Sequence, residues 1–216
     1  MPLRQISKYV AGNYGAALLA NMASTLLPLI ITQTEGAEAN AHFYLAWTIA
    51  SALQIMIANM ATSLTVEASL DKDNVDSYRR RALIGIIRLI LPAAALLIIA
   101  APIILRLVGQ GYVADGVPLM QLLALAAIPN VYNAVYVSMA RTNNRVASIV
   151  AVYGANAFLV LGLSHFFLPI YGIAGVGLAW VISQTAIALT LMVKTRLQAK
   201  PVVSVAIAEA ELGDIK

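Results

Sequence analysis

The chain reads as an all-α, polytopic membrane protein with six transmembrane helices. Three observations predict this. Of its 216 residues, 61% are hydrophobic and only 11% are charged, against roughly 25% charged in soluble domains. Its mean hydropathy of +0.82 implies more apolar surface than a soluble fold of this length can hide. The apolar residues also fall into six runs, separated by short connections whose Lys and Arg content alternates.

Each run is long enough to span, which takes ~20 residues at 1.5 Å per residue. The first, 9–32, follows Arg4 and Lys8 and contains Pro28. A signal peptide is disfavoured because its apolar region would be only about 7–15 residues long. The second, 41–66, lies between the acidic loop 33–40 and Glu67. The third, 82–107, follows Arg79, Arg80 and Arg81 and holds Pro92 and Pro102. The fourth, 117–140, holds Pro118 and Pro129 and ends before Arg141. The fifth, 146–168, ends before Pro169, which is expected to terminate it. The sixth, 172–193, ends before Lys194. No run alternates strictly, and each is about twice the length of a barrel strand, so helices are expected. The expected division is a six-helix lobe over 1–196 and a cytoplasmic tail over 197–216, where Pro201 breaks any continued helix.

Of the fourteen Lys and Arg residues, twelve fall on the side of the two termini, Arg106 falls on the other, and Arg88 lies inside the third run. Basic residues stay cytoplasmic, so both termini are expected inside a plasma-type membrane. The basic balance argues for membrane orientation and not for nucleic acid. With no Cys, disulfides and Cys-ligated metal sites are excluded. His42 and His165 lack a second ligand at metal spacing and read as interfacial polar tips, so no metal site is expected. There is no phosphate-binding Gly-x-x-x-x-Gly-Lys run, and no cofactor or enzymatic site is expected.

Polar residues inside the spans are the candidate functional groups. Asn13 and Asn21 share a face of the first run with Ala17, Ser24 and Pro28. Gln54 shares one of the second with Ser51, Ala58 and Thr62, with Asn59 beside it. Asn130 and Asn133 are near neighbours in the fourth, and Asn156 aligns with Tyr153 and Ser164 in the fifth. Lipid cannot hydrogen-bond these groups, so they should face other helices or a wet cavity. Interhelical bonding would stabilise by about 0.6 kcal/mol each. Several helices offering polar faces favours a cavity wall, a substrate path. Arg88 stands about two turns in from Arg81. It either faces the cavity, where its planar donors suit a pyrophosphate, or snorkels to headgroups.

The stretch 169–184 reads Pro-Ile-Tyr-Gly-Ile-Ala-Gly-Val-Gly-Leu-Ala-Trp-Val-Ile-Ser-Gln. Gly172, Gly175, Ala179 and Ser183 fall at helical spacing and form a small-residue stripe suited to close helix packing. The stretch resembles the last helical hairpin of a lobe in Wzx-type oligosaccharide flippases, polysaccharide biosynthesis proteins of the multidrug/oligosaccharidyl-lipid/polysaccharide exporter superfamily. Gly109-Gln-Gly-Tyr-Val-Ala-Asp-Gly and Leu122-Leu-Ala-Leu-Ala-Ala-Ile-Pro resemble the same family at the expected distance. The resemblance covers most of 1–196. It implies one six-helix lobe of a two-lobe exporter, a cationic central cavity, and alternating access with a lipid-linked oligosaccharide as substrate. The partners implied are membrane lipid, that substrate, and a second copy or a second six-helix lobe.

Two other readings compete. One is a drug or cation exporter of the same superfamily. The other is a non-transporting scaffold or truncated remnant. Ion coupling commonly uses carboxylates within spans. Glu67 and Asp115 lie only at span ends, which favours the oligosaccharide reading.

Overall fold

The computed structural model describes the backbone of residues 3–68 and 75–199, and the side chains of 12, 14–63 and 77–197. Six helices follow one another: α1 (Leu3–Thr34), α2 (Gly36–Ala68), α3 (Val75–Val108), α4 (Val113–Thr142), α5 (Val146–Tyr171) and α6 (Ile173–Ala199). All six are long and apolar enough to cross a membrane. Only 22–50% of each apolar window is buried within the chain, so the remaining surface faces lipid or a partner. The chain is therefore a multi-pass membrane protein. Its tail beyond Ala199 lies outside the described residues.

The connections are tighter than composition suggests. The sequence predicts a loop over the acidic segment 33–40, yet α2 begins at Gly36. The Glu35 N–H donates to the Ile31 carbonyl (2.8 Å), and Gly36 reverses the chain at φ +93°. Residues 37–40 then join α2, where Glu38 suits the positive end of the helix. Pro169 does not end α5, which continues to Tyr171. Its missing N–H removes one bond in the final turn, a small loss where the helix is already ending. Gly172, at φ +57°, stops the helix instead.

The family-like segment at 109–116 forms a 3-10 turn over Gln110–Tyr112 and the start of α4. A Cβ on Gly116 would lie 3.0 Å from Leu105 Cδ1, so the bare glycine lets α3 and α4 close together. His42 is buried there, 9% exposed, and not an interfacial tip. It lies 3.4 Å from Asp115 and packs edge-on against Tyr112. His165 is exposed.

α4 is the central helix, packed against α2, α3, α5 and α6, while α1 rests on α5 and α2. At the end bearing the α1–α2 turn, one apolar core draws on all six helices, with Leu27, Phe43, Leu105, Leu119, Leu168 and Val176. Toward the terminus-bearing end the packing divides. Ile57, Ile86, Ile90 and Val131 join α2, α3 and α4. Ala16, Val137, Ile149 and Ile187 join α1, α4, α5 and α6. The bundle thus forks below its common core, and the fork leaves space between α1 and α2.

Candidate functional site

That space is a cavity of about 380 Å³ lined by α1, α2, α4, α5 and α6. Its walls carry amides from Asn21, Gln54, Asn130, Asn133, Asn156 and Gln184, and hydroxyls from Ser24, Ser51 and Tyr153. Trp47 and Trp180 close its end toward the common core. None of the described lining residues is charged.

The amides form two links. Asn130 donates its amide to Gln54 Oε1, joining α4 to α2. Asn133 Nδ2 donates to Gln184 Oε1 (2.8 Å) and to the Gln184 carbonyl (3.0 Å). Gln184 Nε2 then donates to Asn156 Oδ1 (2.9 Å), so α4, α6 and α5 are tied at one level. Asn133 is 4% exposed, and its Oδ1 has no hydrogen-bond partner. Trp180, 8% exposed, has an unpartnered Nε1–H. Both atoms are sealed from solvent within the wall, so each is a hydrogen bond left unmade at a cost to the packing. The two indoles meet edge to face at 4.6 Å. The cavity opens on the α1–α2 side, where Asn21, Ile55 and Ala58 are exposed.

Of the sequence candidates, Asn21, Gln54, Asn130, Asn133 and Asn156 come together in this cavity. Asn59 does not; its side chain is exposed. Arg88 does not either. It is exposed on α3, which contributes nothing to the cavity wall. The cationic centre implied by the resemblance is thus not found among the described lining residues. Asn13 lies outside the described side chains. Ser164 is fully buried without a hydrogen-bond partner, away from the cavity. Sequence reasoning misses Gln184, Trp47 and Trp180 as site residues. Gln184 was readable: it is an amide in an otherwise apolar run, one residue after the small stripe.

That stripe is divided. Gly175, Ala179 and Ser183 are buried, and a Cβ on Gly175 would lie 2.4 Å from the Phe167 carbonyl oxygen. This is a close approach of α6 to α5 that only glycine permits. Ser183 returns its hydroxyl to the Ala179 carbonyl (2.7 Å). Gly172 lies in the connection and not on the α6 face.

Comparison with models of known families and with curated proteins finds no match. Comparison with solved structures finds a likeness over 92% of the chain to the crystal structure of a MATE point mutant. The TM-score is 0.80 at 17% sequence identity. The fold is that of one lobe of a MATE transporter. The chain covers 48% of the MATE protein's length. The likeness agrees with the six-helix lobe that the sequence resemblance implies, at the level of fold alone.

Proposed function

We propose that the chain is half of an exporter that moves a lipid-linked oligosaccharide between membrane leaflets by alternating access. The observation that carries this reading is the uncharged cavity of amides, hydroxyls and paired indoles. A sugar presents hydroxyls that both donate and accept, and ring faces of C–H groups that lie against indoles. Amides and hydroxyls answer the first, and Trp47 and Trp180 the second. An anionic sugar-phosphate would not settle in such a cavity. The pyrophosphate therefore remains with its lipid outside it, and the lateral opening between α1 and α2 gives the lipid a way out.

The MATE-like fold and the half-length coverage support a second six-helix lobe, or a second copy, facing that opening. Repeat-built transporters hold substrate at the interface between repeats, which rock about the loaded site. The indole pair favours a second reading, an exporter of organic cations, because aromatic faces attract cations.

Deleting the gene should trap undecorated lipid-linked sugar in the inner leaflet, read by a sugar-modifying probe added outside intact cells. A Gln184→Ala chain should restore export by less than a tenth of the intact chain's rate, whereas Asn59→Ala should restore it fully. Unchanged leaflet distribution in the deletion strain, together with organic-cation efflux from vesicles holding the purified protein, would replace the first reading with the second.

A further inference from the structure

A second, separate hollow lies on another side of α4, at the terminus-bearing end. There α3 and α6 flank α4 and leave a shallow groove of about 670 Å³. It is continuous with a smaller hollow of about 210 Å³ that shares Arg79, Leu83, Tyr132 and Thr195. The α4 residues Ile128, Pro129 and Tyr132 of the groove, with Tyr136 and Met139 of the smaller hollow, occupy a different stripe from Asn130, Asn133, Ala134 and Val137 of the central cavity. At 100° per residue the centres of the two stripes are separated by roughly a third of a turn or more.

The groove is layered. Arg79, Arg80 and Arg196 stand at its mouth, with Arg145 beside the smaller hollow. Tyr132 Oη donates to Thr195 Oγ1 (3.3 Å) below them. Deeper, the walls are Ile87, Ile128, Pro129 and Met192. From Arg80 to Ile87 is about 10 Å along α3. No Asp or Glu is among the described lining residues of either hollow. Cations at headgroup depth above an apolar channel match one chemistry: a phosphate carried on an acyl chain. Basic pockets between spanning helices are a known form of anionic-lipid site.

We propose that this groove seats an anionic phospholipid of the leaflet at the terminus-bearing end. Its phosphate lies among Arg79, Arg80 and Arg196, and one acyl chain lies along Ile87, Ile128 and Pro129. The proposal is independent of what the central cavity carries.

The test uses the full chain in detergent micelles, with bound lipid counted by native mass spectrometry and thermal stability measured in parallel. Phosphatidylglycerol should be retained and should stabilise. Phosphatidylcholine should be retained more weakly, and inorganic phosphate should do nothing. Arg80→Gln with Arg196→Gln should lower the preference for phosphatidylglycerol by roughly 10- to 30-fold, at about 1 kcal/mol per basic residue. Ile128→Trp, which fills the channel, should reduce retention of both lipids, while Arg88→Gln should change neither. Equal retention of the two lipids by the intact chain, or an undiminished preference in the double variant, would overturn the proposal. Stabilisation by inorganic phosphate equal to that by phosphatidylglycerol would overturn it too, reducing the groove to an anion site.

Discussion

Gly175 shows how one missing side chain sets a helix pair. The Phe167 carbonyl oxygen stands where its Cβ would be, 2.4 Å away. That neighbour is backbone and cannot swing aside. Gly175→Ala should therefore destabilise the chain by about 1–3 kcal/mol, the usual cost of overpacking. Gly15→Ala is the control, since nothing lies within 4 Å of the corresponding position; it should leave the melting temperature in micelles unchanged or slightly raised. Asn133 makes the complementary case. Its Nδ2 serves two acceptors on Gln184 while its Oδ1 has none. Asn133→Leu should thus remove both bonds to Gln184 and leave the Gln184 oxygen orphaned, lowering stability by about 1–3 kcal/mol. Retention of wild-type stability would show that the amide link contributes nothing to the bundle.

At the scale of elements, the α5–α6 hairpin separates two kinds of helix stop. Pro169 breaks the local rule yet sits inside α5, whereas Gly172 takes the left-handed backbone that ends the helix. Pro169→Ala should restore a backbone bond and leave stability equal or higher. Gly172→Ala should cost about 1 kcal/mol, because a Cβ strains the positive φ. Thermal unfolding of the two variants side by side distinguishes these outcomes, and a larger loss from Pro169→Ala would reverse the assignment. The α4–α5 connection uses the same device with another residue. Asn144 adopts φ +53°, a conformation asparagine tolerates better than most residues.

For the whole molecule, six spans bring the start of α1 and the end of α6 to one face, and the Lys and Arg asymmetry predicts that face to be cytoplasmic. The lack of native Cys makes this directly measurable. A thiol reagent that cannot cross membranes should label Glu38→Cys and Tyr171→Cys in intact cells and spare Asn143→Cys. The opposite pattern would invert the orientation. The fork in the bundle predicts where the proposed second lobe would sit. The exposed cavity mouth on α1 and α2 should crosslink to a second lobe or copy through Cys introduced at Ile55. The α3 face, with exposed Leu96, Ile99 and Ile103, should not.

Helix number, helix type and the alternation of charged ends were legible in the chain because each is a local property. Lipid forces every backbone group into internal bonds, so a run of ~20 apolar residues has one outcome. Asn21, Gln54, Asn130, Asn133 and Asn156 were readable as a set for the same reason, since apolar spans leave amides conspicuous. Only the tertiary structure decided which of them meet. Asn59 differs from Gln54 by five positions, enough to rotate it out of the cavity. Arg88 is conspicuous in sequence, but α3 packs on the far side of α4 and leaves it outside. Trp47 and Trp180 carry no mark in the sequence that sets them apart from packing residues; their place at the cavity end follows only from the packing of α2 and α6 around α4. The cavity itself arises from the fork between two apolar clusters. No single segment encodes that fork, because it depends on residues of all six helices packing at once.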